Sequence, residues 1–169
     1  RINPLYPAVE LSTAAMCVGA VAWRGPTLAA AQAAVFLCLL LTLAVIDMRT
    51  LRLPNALTGA GAVLGLGFAV SAAAAERSWE ALVGVLIAAA VGLAVLGVVR
   101  VAGSAAMRRE AMGLGDVKLA GMIGAYLADW RLMLLTIALS AAIGSVVGVA
   151  LRLAPAKRRE IPYGPFLAA

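Results

Sequence analysis

The sequence predicts an all-α fold, a polytopic transmembrane helical bundle of about six spans plus the start of another. Three observations predict it. The 169 residues are 64% apolar with a mean hydropathy of +1.01, whereas a soluble domain is nearer half apolar. Charged residues make up 13%, too few to cover a globular surface that ordinarily draws on about 25%. The apolar residues gather into runs close to the twenty or so needed to cross about 30 Å of hydrocarbon, and none alternates as a barrel strand does.

The runs cover 8–23, 28–46, 56–75, 80–99, 115–129 and 131–151. The first closes at Trp23 and Arg24. The second holds the apolar stretch Leu37 to Ile46 and stops at Asp47. The third ends in the Ala-rich stretch Ala72–Ala75, before Glu76 and Arg77. The fourth starts after Trp79 and ends at Arg100. The fifth begins within Gly113-Leu114-Gly115-Asp116, and the sixth starts at Arg131 and stops before Arg152. The first and fifth are short, so they are expected to tilt little, thin the bilayer or extend into their loops. The whole chain, 1–169, reads as one membrane-embedded domain without an internal repeat or linker. It starts at Arg1 with no cleavable signal pattern, and Phe166-Leu167-Ala168-Ala169 reads like the first turn of another helix. Both ends are therefore expected to be cut from a longer protein.

Charge orients the runs. Eleven of the 14 basic residues fall on one side: Arg1, Arg49, Arg52, Arg100, Arg108, Arg109, Lys118, Arg152, Lys157, Arg158 and Arg159. Arg24, Arg77 and Arg131 fall on the other, so the basic side is expected in the cytoplasm. Topology and anionic headgroups account for the net charge of +6 without nucleic acid. Trp23, Trp79 and Trp130 all reach the opposite boundary, as an interfacial aromatic belt does. The GxxxG spacings Gly61/Gly65 and Gly144/Gly148 are read as close helix packing within the chain.

Composition also removes chemistry. With no histidine, Ser-His hydrolysis, HExxH zinc proteolysis and His-ligated haem are excluded. Cys17 and Cys38 lie inside apolar runs, read as small apolar filler, and imply neither a metal site nor a disulfide.

Two carboxylates stand out. Asp47 ends the second run and Asp116 opens the fifth, so both belong to the cytoplasmic face. An ionisable group beside hydrocarbon is costly and by default functional. A carboxylate pair can divide acid and base roles. The unpaired N–H groups of a helix start favour charge at Asp116, and the carbonyl end of a helix disfavours it at Asp47. Asp116 is thus expected to be the ionised partner and Asp47 the protonated one. The alternatives are structural: Asp116 as a helix N-cap, and Asp47 as a helix stop paired with Arg49 or Arg52. Glu76, Glu80 and Asp129 lie in loops on the other side and receive no role.

These residues resemble a family. Ile46-Asp47-Met48-Arg49-Thr50-Leu51-Arg52-Leu53-Pro54-Asn55 resembles the first-aspartate motif of the type IV prepilin peptidases, and Gly113-Leu114-Gly115-Asp116-Val117-Lys118-Leu119 matches their GxGD signature. Tyr6-Pro7-Ala8-Val9-Glu10-Leu11 is similar to the stretch opening their membrane region. Ile161-Pro162-Tyr163-Gly164-Pro165-Phe166-Leu167-Ala168 is similar to the start of their last helix.

The resemblance implies a membrane aspartic endopeptidase of the bacterial inner membrane. It would cut the leaders of prepilins or pseudopilins at the cytoplasmic face, after Gly and before Phe, for pili or type II secretion. It implies Asp47 and Asp116 as the catalytic pair, with Gly113, Gly115 and Lys118 shaping the second site as substrate-binding residues. It implies no metal and no cofactor, and as partners only the substrates and the bilayer. Glu110 and Glu160 are candidates for leader contact, and Glu10 for support of the site. Bifunctional members also carry a cytoplasmic domain with paired CxxC motifs before the Tyr-Pro stretch. That domain is not in this sequence, so methyl transfer is not implied for it. From other classes, a small ion- or proton-coupled transporter and a non-catalytic subunit of a secretion assembly remain alternatives. Presenilin-like GxGD proteases share the second motif and lack the first.

Overall fold

The computed structural model describes residues 5–50, 52–110 and 112–153. The expected final helix start, the Ile161–Ala168 stretch, the run Lys157–Arg159 and Glu160 lie outside the described residues, as does the side chain of Tyr6. Among the described residues the fold is entirely helical: α1 (Leu5–Arg24), α2 (Leu28–Thr50), α3 (Asn55–Glu76), α4 (Glu80–Met107), α5 (Leu114–Leu127) and α6 (Trp130–Leu153).

Local chemistry sets several of the boundaries. Thr27 Oγ1 accepts the Ala30 N–H at 3.3 Å and caps α2. Asp129 Oδ1 accepts the Arg131 N–H at 2.7 Å at the start of α6, which gives that loop carboxylate a capping role. α3, α4 and α5 end on Arg77, Arg108 and Ala128, all left-handed at φ 52°, 52° and 55°. Such an ending commonly closes a helix but usually falls on glycine. Pro54, at φ −68°, turns the chain from α2 into α3.

Among the described residues, four helices are long and apolar enough to cross a membrane: Leu28–Thr50, Asn55–Glu76, Glu80–Met107 and Trp130–Ala150. The expected count of about six spans is slightly high, for two reasons. At about 1.5 Å per residue, the 14 residues of α5 reach only about 21 Å. α1 is diluted by Glu10, Ser12 and Thr13 and is not one of the four. The four spans make this a multi-pass membrane bundle, and their outer faces carry apolar side chains such as Val63, Val70, Val98 and Val146.

α5 is the hub of the bundle. Eight consecutive residues, Leu119 to Tyr126, are buried, so it is enclosed on every side. It packs most on α4 and next on α3, while α1 leans on α2. Small residues permit this closeness. A β-carbon on Gly124 would stand 2.5 Å from the Ala88 carbonyl oxygen, and one on Gly65 would stand 3.1 Å from Ala125 Cβ. The Gly61/Gly65 spacing thus serves packing within the chain, with Gly61 facing Met122. α2 meets α5 through long side chains instead: Phe36 stacks on Tyr126 with centroids 4.6 Å apart, and Leu40 and Leu43 join Leu119 and Ile123 in the main core.

The helices alternate in direction, so the bundle has two chemically distinct ends. Trp23, Trp79 and Trp130 are all exposed at one end. There the guanidinium groups of Arg24 and Arg131 each lie 5.3 Å over the ring of the preceding tryptophan. The other end holds Asp47, Asp116, Arg49, Arg52, Arg100, Arg108, Arg109 and Lys118.

Candidate active site

The end opposite the tryptophans joins the close of α2, the start of α3, the close of α4 and the start of α5. Asp47 lies in the last turn of α2, three residues before its end at Thr50, and is 5% exposed. It is therefore inside the helix and buried, which departs from the helix-stop alternative. Asp116 occupies the first turn of α5 and is half-buried. Gly113 is the N-cap residue of α5 and no side chain caps that end, so Asp116 is not a capping group.

The two carboxylates sense each other. Burial, and then the charge of Asp47, push the Asp116 carboxyl from 3.8 up to about 6. Asp116 belongs to α5, outside the four spans. The helix dipole alone favours the opposite direction. Loss of water around the carboxylate and a like charge nearby outweigh it here, because a dipole contribution is small at a half-exposed site. A carboxyl poised near 6 is ionised at neutral pH but close to its protonated form. Beside a second, more buried carboxyl, that is the condition for dividing base and acid roles.

The two aspartate segments, 69 positions apart in sequence, interlock around the pair. A β-carbon on Gly115 would lie 2.9 Å from Leu53 Cβ, so the α2–α3 connection rests directly on the backbone of α5. Lys118 Nζ donates to Asn55 Oδ1 at 2.8 Å, tying the N-terminal part of α5 to the first residue of α3. Gly113 differs from Gly115. It has an ordinary φ of −67°, and a β-carbon there would meet nothing nearer than Asp116 Oδ2 at 3.7 Å.

The loop before α5 is held from α4. Arg100 Nε donates to the Met112 carbonyl at 3.0 Å, and its terminal nitrogen pairs with Glu110 at 3.1 Å. Glu110, a candidate for leader contact, is thus engaged within the chain. Glu10 is exposed on α1, which packs on α2. Cys17 and Cys38 approach to 3.8 Å between their sulfurs and are both free thiols. Sequence reasoning named Asp47, Asp116, Gly113, Gly115 and Lys118. It missed Arg100, whose signal was a lone cation closing an apolar run, and Leu53 and Asn55, which lay in the first motif without a distinct role.

The chain is similar to known proteins over most of its length. Residues 34–149 match the model of the type IV leader peptidase family. The chain is 35% identical, over 171 residues, to a prepilin leader peptidase/N-methyltransferase of Burkholderia pseudomallei (strain 1026b), covering 99% of this chain and 53% of that protein. It is 35% identical to the protein of that description from Stutzerimonas stutzeri, covering 99% and 56%. With the one from Bacillus subtilis (strain 168) it shares 32%, covering 100% and 64%. The chain thus spans only a little over half the length of these relatives. No solved structure matches it.

Proposed function

The chain belongs to the type IV leader peptidase family, and on that premise we propose that it is a membrane aspartic endopeptidase with Asp47 and Asp116 as its catalytic dyad. The observation that carries the reading is the meeting of the two aspartate segments at one end of the bundle, where Leu53 rests on Gly115 and Lys118 bonds to Asn55. In this reading Asp116, the more hydrated of the two, is ionised and takes a proton from a water molecule. The water oxygen attacks the scissile carbonyl. Asp47, the more buried, holds a proton and donates a hydrogen bond to the carbonyl oxygen as negative charge develops there. Collapse of the tetrahedral intermediate passes a proton to the leaving amine and frees a carboxylate and an amine.

The substrates in this proposal are prepilins or pseudopilins of a bacterial inner membrane, cut after Gly and before Phe. The names of the relatives support that class. Arg49, Arg52, Arg100, Arg108, Arg109 and Lys118 accompany the aspartates, whereas Arg24, Arg77 and Arg131 lie at the tryptophan end, which supports a cytoplasmic site. Gly115 would hold the substrate-facing loop in place and Gly113 would leave its backbone open. The transporter reading gains no supporting observation, because the carboxylates lie at one end of the bundle and not at its midplane.

The test is cleavage of a prepilin carrying a Gly-Phe junction in membranes containing the full-length protein. Asp47→Asn and Asp116→Asn are expected to abolish product at wild-type abundance. Full cleavage by either variant would remove that aspartate from the mechanism. Absence of cleavage by wild type would return the transport and structural-subunit readings.

A further inference from the structure

Lys118 does not share the space of the aspartates. It follows Asp116 by two residues, about 200° around a helix of 3.6 residues per turn, so it leaves α5 on nearly the opposite side. There it lines a groove of about 400 Å³ between α3 and α4, together with Asn55, Thr58, Leu93 and Gly121. Neither aspartate lines that groove. The ammonium group meets Asn55 Oδ1. Its influence on the dyad must therefore travel through α3.

The path is short. α2 and α5 touch through long side chains, and their ring stack, Phe36 on Tyr126, is at the far end of α5 from Asp116. At the near end, the last turn of α2 reaches α5 by way of Leu53 and Pro54, which run into Asn55. Pro54 stiffens that connection and Leu53 is seated on Gly115. Asn55 is thus two residues from the Leu53 that rests on Gly115. Resting on the dyad reading above, we propose that the Lys118–Asn55 hydrogen bond is a strap that sets the spacing of Asp47 and Asp116. Lys118 is then a positioning residue, not one that binds substrate.

Lys118 and Asn55 are both exposed, so the bond adds little to the stability of the bundle. Its loss is felt in geometry, where a displacement of about 1 Å can cost up to about a hundredfold in rate. A large catalytic defect without unfolding is the signature of the strap.

The experiment measures kcat and KM for prepilin cleavage by the full-length protein in membranes, for Lys118→Met, Asn55→Leu, the double variant and Asn55→Asp. Each single loss is expected to lower kcat by about tenfold or more with KM unchanged. The double variant should be no worse than the weaker single, since both remove one bond. Asn55→Asp keeps the acceptor and should stay within about threefold of wild type. A raised KM at constant kcat for Lys118→Met would make it a substrate contact and overturn the strap. So would wild-type kcat in Asn55→Leu, or additive losses in the double variant. A second readout is independent of catalysis: oxidative cross-linking of Asp47→Cys with Asp116→Cys in a chain carrying Cys17→Ala and Cys38→Ala. Adding Lys118→Met should slow that cross-link several-fold. An unchanged rate overturns the strap whether or not the dyad is catalytic. Full cleavage by Asp47→Asn or Asp116→Asn overturns the dyad alone.

Discussion

Leu53 rests on Gly115 so closely that a β-carbon on the glycine would lie 2.9 Å from Leu53 Cβ and 3.3 Å from Leu53 Cδ1. Gly113, two residues earlier, has space and an ordinary backbone conformation. The two glycines of one motif therefore have different reasons to be there. Gly115→Ala must push the α2–α3 connection away from α5 and spread the aspartates. A tenfold or greater loss of prepilin cleavage is expected, at near-normal membrane abundance. Gly113→Ala should keep the fold and lose less than about threefold. Cleavage rates normalised to immunoblotted protein compare the two, and equal defects would remove the steric account.

The raised Asp116 carboxyl makes stability depend on pH with a definite sign. Its folded value of about 6 lies above the ordinary 3.8, so the fold prefers the protonated form. Stability from this group is fully present below about pH 3.8 and declines as pH rises through about 6. Asp116→Asn is neutral throughout and should be the more stable protein at pH 7. The ceiling is about 3 kcal/mol, and solvent at this half-buried site reduces the expected gain to about 1 kcal/mol. Thermal unfolding in detergent at pH 7.5 and pH 4 should show an advantage that shrinks on acidification.

The same carboxyl sets the acid limb of activity. With Asp116 as the base, kcat/KM for prepilin cleavage should fall about tenfold per pH unit below about 6. A rate unchanged down to pH 4.5 would assign the base role elsewhere.

Much of this was legible in the sequence, and for physical reasons. Apolar runs fix helices because the backbone in a bilayer has no other partner. Charge asymmetry and the tryptophans marked the two ends, and the aspartate at each motif pointed to one of them. The hub was not legible. α5 reads as a marginal span because run length was taken as the signal for crossing. Yet its glycines and alanines at 120, 121, 124 and 125 specify close packing on all sides. The upward displacement of the Asp116 carboxyl was not legible, because a helix start is local and favours the opposite direction, whereas burial and the approach of Asp47 are tertiary. The Lys118–Asn55 bond joins residues 63 apart and leaves no periodic trace.

The packing of α5 offers a stability test away from the aspartates. Gly124→Ala would place a methyl 2.5 Å from the Ala88 carbonyl oxygen and 2.7 Å from Ala89 Cα. Backbone cannot yield as a side-chain tip can, so the change should cost about 1–3 kcal/mol as overpacking does. On α4, a β-carbon on Gly97 meets nothing within 4 Å, and Gly97→Ala should be neutral or gain up to about 1 kcal/mol of helix propensity. Thermal midpoints of the two variants in one detergent decide whether the hub is as tight as the geometry says.

Arg100 makes two contacts of unequal worth, and the difference can be measured. Its bond to the Met112 carbonyl holds the residue just before Gly113, while its partner Glu110 has a side chain 81% exposed. A pair so open to water is screened and contributes less than about 1 kcal/mol. Removing Glu110 leaves the loop attached, so Glu110→Ala should cleave prepilin at close to the wild-type rate. Arg100→Ala releases the Met112 carbonyl and lets the loop before Asp116 drift from α4, and cleavage should fall about tenfold or more. Arg100→Lys replaces the planar fork by a single ammonium that cannot hold both partners in the same geometry. It should fall between the two. If Glu110→Ala proves as damaging as Arg100→Ala, the ion pair and not the carbonyl bond positions the loop.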